Sequence, residues 1–451
     1  MTLSNDKVNN RLWSVYIYLF SICYISVYID YQLSPIFVWP ILFISYYLII
    51  FKGRVEPVLF LILGSKFITG FAVPTNNNAF VVVNVLVNYL PVIIVLSLHT
   101  LRGQHINVIK KYKFTICYLL LALGYSLPYP ELALQMMVKE YIPILFFLLT
   151  AGVFYKKMDY SLIIPFIRAL LISSLVVYLI PERFETNIVL NTLPLLNRVP
   201  SIETIDFISL DVFRNAGFFW DTRITGIICY VFIYICLIKN VRNFKFNLFI
   251  GTLVLLSTLS RGAIGVGVLL LLTYVFIGII KGRFLNTVLL GAIISFVAVG
   301  SVLFEFVEVE DHFFDSFLLT SDNNALSQRS GFREYSLDNF FNHPFGTGVG
   351  SLKGIGPVRD IAIKGAHVHT VGDSFLFSKL GEMGVVGFLL FVLSLSEIIL
   401  SRNLYSLIFM FGVFIQLTGT DLPDMKQFYF IFLILISNLN LKKDKLHANK
   451  V

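Results

Sequence analysis

Apolar blocks near 20 residues long, several of them joined by tight turns that carry Lys and Arg, recur from Leu12 to Leu441. A helix rising about 1.5 Å per residue needs roughly 20 residues to cross ~30 Å of hydrocarbon, so each block has the length of one span. Hydrocarbon offers no partner for backbone N–H and C=O groups, and an unbroken apolar block satisfies them by coiling into a helix. The chain also has only 14% charged residues, against about a quarter in a soluble domain. The expectation is an all-α, polytopic integral membrane protein forming a single membrane-embedded domain over residues 1–451.

About fourteen spans are expected, at 12–29, 35–51, 57–73, 79–98, 114–128, 133–154, 160–180, 224–238, 246–259, 262–280, 284–304, 373–400, 404–420 and 427–441. No small-residue cleavage site follows Leu12–Ile29, so this block reads as a first span, not a removable leader. Orientation follows from basic residues. The two termini and every second gap hold 20 of the 35 Lys and Arg residues, among them Lys52, Arg54, Lys110, Lys111, Lys156, Lys157, Lys239, Arg242, Lys281 and Lys442. The short gaps between them, near 30–34, 74–78, 129–132, 260–261 and 421–426, hold only Arg261 and Lys426. This places both termini in the cytoplasm and leaves two large extracytoplasmic loops, at about 181–223 and 305–372.

A net charge of +8 raises the question of nucleic acid, but the basic residues lie between apolar blocks and not in one stripe with aromatics, so no nucleic-acid partner is expected. Cys23, Cys117, Cys229 and Cys236 all fall within apolar blocks without CxxC spacing and read as small buried hydrophobes. Lys66 and Arg168 fall inside spans, where a charge is a functional hypothesis unless it snorkels or pairs with a carbonyl.

The outer loops carry the chemistry. In Gln328-Arg329-Ser330-Gly331-Phe332-Arg333, a helix puts Arg329 and Arg333 on one face. Two guanidinium forks there suit a pyrophosphate, or else pair with Glu334 and Asp338 on a solvated surface. In His343-Pro344-Phe345-Gly346-Thr347-Gly348-Val349-Gly350, Pro344 ends a preceding helix and the glycines permit positive φ and close backbone approach. No strand precedes and no Lys-Ser/Thr follows, so this is a turn before it is a phosphate loop. His367 and His369 lack further metal ligands nearby, and no metal site is expected; beside Asp373 they are either ordinary loop histidines or general bases. Arg261 sits in a tight outer hairpin as a snorkelling anchor or as part of a site. Arg214 and Arg223 flank the aromatic end of the first outer loop and either anchor it or add to an anionic site.

Taken in order, the Arg-x-x-Gly-Phe segment at Arg214, the Ser260-Arg261-Gly262 hairpin, the long loop with its Pro-Phe-Gly-Thr-Gly-Val-Gly turn, and Asp373-Ser374-Phe375-Leu376 through Glu382-Met383-Gly384-Val385-Val386-Gly387 resemble the O-antigen polymerase and ligase superfamily, the Wzy and WaaL type of membrane glycosyltransferase. The resemblance covers roughly residues 210–400. It implies a bacterial inner-membrane enzyme acting on undecaprenyl-pyrophosphate-linked oligosaccharide, with membrane lipid, a chain-length regulator and a flippase of the same pathway as partners, and with no cofactor. It implies that Arg261, with Arg329 and Arg333, holds the pyrophosphate. The family's His-Asn-Ser segment falls on Gly372-Asp373-Ser374, so the base is His369, His367 or Asp373. Within the superfamily the Phe- and Tyr-rich chain and its span count favour the polymerase. The ligase is the nearer rival. A flippase or transporter is the more distant one, expected to line a central cavity with its charges and to show internal repeats.

Overall fold

The computed structural model describes residues 2–29, 34–65, 68, 77–100, 111–127, 141–179, 222–239, 241–258, 260–281, 334–349, 351–352, 375–401, 403–419 and 429–437. Among these every regular element is a helix: α1 (Thr2–Ile29), α2 (Ser34–Ile50), α3 (Glu56–Leu63), α4 (Asn77–Asn88), α5 (Leu90–Thr100), α6 (Lys113–Tyr125), α7 (Ile142–Lys157), α8 (Tyr160–Tyr178), α9 (Thr222–Lys239), α10 (Phe244–Ser257), α11 (Arg261–Ile280), α12 (Phe375–Ile399) and α13 (Leu404–Gly419). Residues 334–342 and 429–437 are also helical. The segments Tyr160–Tyr178, Gly262–Ile280 and Phe375–Ile399 are long and apolar enough to cross a membrane, and shorter apolar helices include Leu12–Ser26, Ile36–Ile50 and Leu404–Leu417. Large apolar side chains such as Phe43, Phe276, Leu272 and Phe411 are exposed, which suits a lipid surround and not water.

The chain forms two compact units, one of Met1–Ile106 with Leu149–Gly267, the other of Asn107–Leu148 with Val268–Val451. In the first, Trp13, Tyr16 and Phe20 recur at helical spacing on one buried face of α1. Phe60 of α3 stacks on Phe166 of α8 at 3.8 Å, and Phe20 meets Phe166 edge-on at 5.1 Å. Tyr16 and Ser45 of α2 share a buried hydroxyl–hydroxyl hydrogen bond. Such aromatic pairs add roughly 0.5–1.5 kcal/mol each beyond their buried area. At one end of this unit Asp159 caps α8 by accepting from the Ser161 N–H at 2.9 Å. Its own N–H donates to the buried Glu56 at 3.0 Å. Lys157 donates to the Gly53 carbonyl at 3.4 Å, and the Lys239 ammonium lies 5.2 Å from the Tyr160 ring. Three basic gaps that the charge pattern assigns to one side therefore meet at one end of the unit.

In the second unit α6 and α12 run antiparallel. Glu397, near the end of α12, accepts from the Phe114 and Thr115 N–H groups at 3.2 and 3.1 Å. These are first-turn donors of α6 that lack a partner within their own helix, and a carboxylate there also faces the positive end of the helix dipole. Ser394 donates to the Thr115 hydroxyl at 3.0 Å. At the opposite end of α6 the Tyr125 carbonyl accepts from Val349 N–H at 2.9 Å.

Some expectations change. The block at 79–98 carries one interruption, at Tyr89 between α4 and α5, but the helical ladder runs across it: Tyr89 N–H donates to the Val85 carbonyl at 3.1 Å and Ile93 N–H to the Tyr89 carbonyl at 3.0 Å, and Pro91, lacking an N–H, leaves out one rung. The block at 373–400, described from Phe375 onward, is broken at Gly384. Cys23, Cys229 and Cys236 are buried, but Cys117 is exposed. It lies on the outward stripe of α6 with Phe114, Leu120 and Leu123, so apolar neighbours in sequence did not mean burial. The block at 284–304 lies outside the described residues.

Candidate active site

The site region of the second unit is built on the broken helix α12. Gly384 has φ 64° and ψ −167°, which no helical residue adopts. The break stops the i to i−4 ladder and frees backbone groups in a buried place. Irregular backbone is tolerated at membrane depth only where protein or a water-filled cavity surrounds it, and here residues 339–348 supply the partners. Val385 N–H donates to the Pro344 carbonyl at 3.0 Å, and Gly348 N–H to the Glu382 carbonyl at 2.9 Å. The Asn339 amide donates to the Gly381 carbonyl at 3.0 Å and to the Thr347 hydroxyl at 3.1 Å.

The turn that does this forms as the sequence predicts. The helix over 334–342 ends before Pro344. Gly346 N–H then bonds back to the His343 carbonyl at 2.8 Å, and Gly346 and Gly348 take φ of 87° and 113°. Two glycines cross backbone to backbone. A Cβ on Gly346 would lie 2.5 Å from the Glu382 oxygen, and one on Gly384 would lie 2.3 Å from the Pro344 oxygen and 2.4 Å from the Phe345 carbonyl carbon. The Tyr125 hydroxyl donates to the Phe345 carbonyl, tying α6 to the same crossing.

Just before the break lies an ion pair that the sequence reading did not single out. Lys379 and Glu382, both fully buried, meet at 3.1 Å. The Lys379 ammonium also lies 5.7 Å from the Tyr141 ring and 5.2 Å from that of Phe375. The Tyr141 hydroxyl approaches the Met383 sulfur at 4.0 Å. The available signal was an acid and a base three residues apart inside an apolar block, where charge is costly unless partnered.

In the first unit Arg261 opens α11, directly after the turn in which Ile264 N–H donates to the Ser260 carbonyl at 2.8 Å. Gly226 lets α9 approach this turn closely: a Cβ on it would lie 2.6 Å from the Ala263 Cβ and 3.3 Å from the Ser260 Cβ. Gly226 is one helical turn after Arg223, which is exposed. Arg223 and the Ser260-Arg261 hairpin therefore share one end of this unit. Arg214, Arg329, Arg333, His367, His369, Asp373 and Lys66 lie outside the described residues. In sequence, Arg333 directly precedes the 334–342 helix and Asp373 stands two residues before Phe375.

The O-antigen ligase family model matches residues 246–392, about a third of the chain. That stretch runs from α10 through the Ser260-Arg261 hairpin and the 343–349 turn and past the break in α12. The match supports a place in the O-antigen ligase and polymerase superfamily and an integral membrane role in surface polysaccharide biosynthesis. No curated protein and no solved structure matches the chain.

Proposed function

We propose that the chain is a membrane glycosyltransferase that polymerises undecaprenyl-pyrophosphate-linked oligosaccharide repeat units into O-antigen or a related surface polysaccharide, on the outer face of the inner membrane. The observation that carries the glycosyltransferase part of this reading is the O-antigen ligase match, because it spans both the Arg261 hairpin and the turn that braces α12; the choice of polymerase rests on the Phe- and Tyr-rich sequence and its expected span count. The growing polymer leaves its lipid pyrophosphate as the hydroxyl of a new repeat unit attacks. Negative charge builds on the departing pyrophosphate, so arginines positioned there stabilise the transition state more than the ground state. Arg261, Arg329 and Arg333 take this role, with Arg214 and Arg223 contributing to binding of the anionic headgroup. His369, or else His367 or Asp373, accepts the proton of the attacking hydroxyl. The brace at Gly346 and Gly384 supports this scheme, since it ties the helix that follows Arg333 to the helix that follows Asp373.

A second reading is favoured by the description of the matching family itself: a ligase that moves finished polymer to lipid A core. Deleting the gene and displaying surface polysaccharide on a gel separates the two. A ladder collapsed to core plus one repeat supports the polymerase. Polymer still built but absent from lipid A supports the ligase.

A further inference from the structure

Arg168 stands in the middle of α8, and the site described above does not use it. The buried face of α8 carries Ile164, Phe166, Ile167 and Leu171. A stripe beside it carries Leu162, Pro165, Arg168, Ile172 and Leu175 at helical spacing, each half-buried. One cation thus sits on a stripe that is otherwise apolar. Its guanidinium donates to the Asn247 carbonyl oxygen at 3.3 Å. Asn247 is fully buried, and its amide donates onward to the Arg242 carbonyl at 3.2 Å. Among the described residues no carboxylate pairs with Arg168. A guanidinium has five donors in a planar fork, and among the described residues one neutral acceptor takes up a single one of them.

The depth of the group follows from the same contacts. Arg168 is about 12 Å along α8 from Tyr160 at ~1.5 Å per residue. Helical side chains lean toward the helix start, and Asn247 lies in the first turns of α10. The guanidinium is therefore drawn back toward the end of the unit where Lys239 meets Tyr160 and where Arg242 and Lys245 stand. This is the end that the basic gaps assign to the cytoplasmic leaflet, whose anionic lipids attract such residues.

We infer that Arg168, held by Asn247, is a binding site for the phosphate of an anionic phospholipid in the leaflet at this basic end. The shared chemistry is a phosphate anion on a guanidinium fork. The apolar residues on either side of Arg168 select a phosphate that arrives with acyl chains over a free ion. The inference needs only the membrane setting and stands apart from the proposed polymerase activity.

The test titrates the purified full-length protein in detergent with short-chain phosphatidylglycerol and reads the thermal unfolding midpoint, with phosphatidylcholine and inorganic phosphate as parallel arms. Phosphatidylglycerol should raise the midpoint of the wild type, and the other two should not. Arg168→Gln should need about tenfold more phosphatidylglycerol for the same shift, as for loss of one charge-assisted hydrogen bond. Asn247→Asp keeps the size of the side chain and gives the guanidinium an internal carboxylate, so it should keep the fold and lose most of the response. An unchanged response in either folded variant overturns the site. An equal shift from inorganic phosphate overturns the lipid assignment.

Discussion

Replacing Gly384 by alanine tests whether the break in α12 and the turn beneath it form one rigid unit. The added Cβ meets three backbone atoms, the Pro344 oxygen at 2.3 Å, the Phe345 carbonyl carbon at 2.4 Å and the Gly346 nitrogen at 2.6 Å. Backbone cannot swing aside as a flexible side chain can. The φ of 64° with ψ of −167° lies in a region where a residue with a Cβ costs about 1–3 kcal/mol. Relief by separation breaks the Val385–Pro344 and Gly348–Glu382 bonds, at about 1 kcal/mol each and more where a buried group stays unpaired. The expected loss is about 3–5 kcal/mol, a large share of a typical net stability of roughly 5–15 kcal/mol. Thermal unfolding of the purified protein reads the stability, and complementation of a deletion strain reads the polymer. Gly265→Ala is the control, since nothing stands within 4 Å of its added Cβ, and alanine in a helix interior is favoured by ~0.5–1 kcal/mol. A Gly384→Ala protein that melts with the wild type and builds normal polymer would refute the bracing argument.

Other outcomes follow from the same reasoning. Arg261→Lys should impair polymer as severely as Arg261→Ala, because an ammonium cannot supply a bidentate fork; a fully active lysine variant at normal expression reduces Arg261 to an anchor. Arg329→Ala and Arg333→Ala should each lower polymer by on the order of tenfold or more, and normal polymer from both removes them from the mechanism. His369→Ala should abolish polymerisation in a protein that still inserts, whereas an active His369→Ala beside an inactive Asp373→Asn moves the base to Asp373. Lys379→Met removes the cation 3.1 Å from the buried Glu382 carboxylate and should cost about 3–5 kcal/mol, while Lys379→Met with Glu382→Leu should cost less than the single change; strictly additive losses in a double-mutant cycle contradict the pairing.

Helix ends were legible where an apolar run stops at a charge or a turn residue. The 160–180, 262–280 and 404–420 blocks lie within two residues of α8, α11 and α13. The 343–349 turn was legible because Pro344 and the glycines act on their own backbone. What the sequence hid is long-range. Gly384 is one glycine in an apolar run, and its break is stable only because Pro344 and Gly348, some 40 residues away, take up the freed groups. The partner of Arg168 is Asn247, 79 residues on, and no periodicity points to it. The interruption at Tyr89 had a local signal in Pro91, whose missing N–H removes one rung of the helical ladder.

The most direct measurement supplies purified protein with an undecaprenyl-pyrophosphate-linked repeat unit and no other acceptor, and follows product length and the release of undecaprenyl pyrophosphate. A polymerase yields lipid-linked chains of two or more repeats, with one pyrophosphate lipid released per bond formed. A protein that leaves the repeat unit unchanged, and transfers sugar only when lipid A core is added, would contradict the polymerase reading.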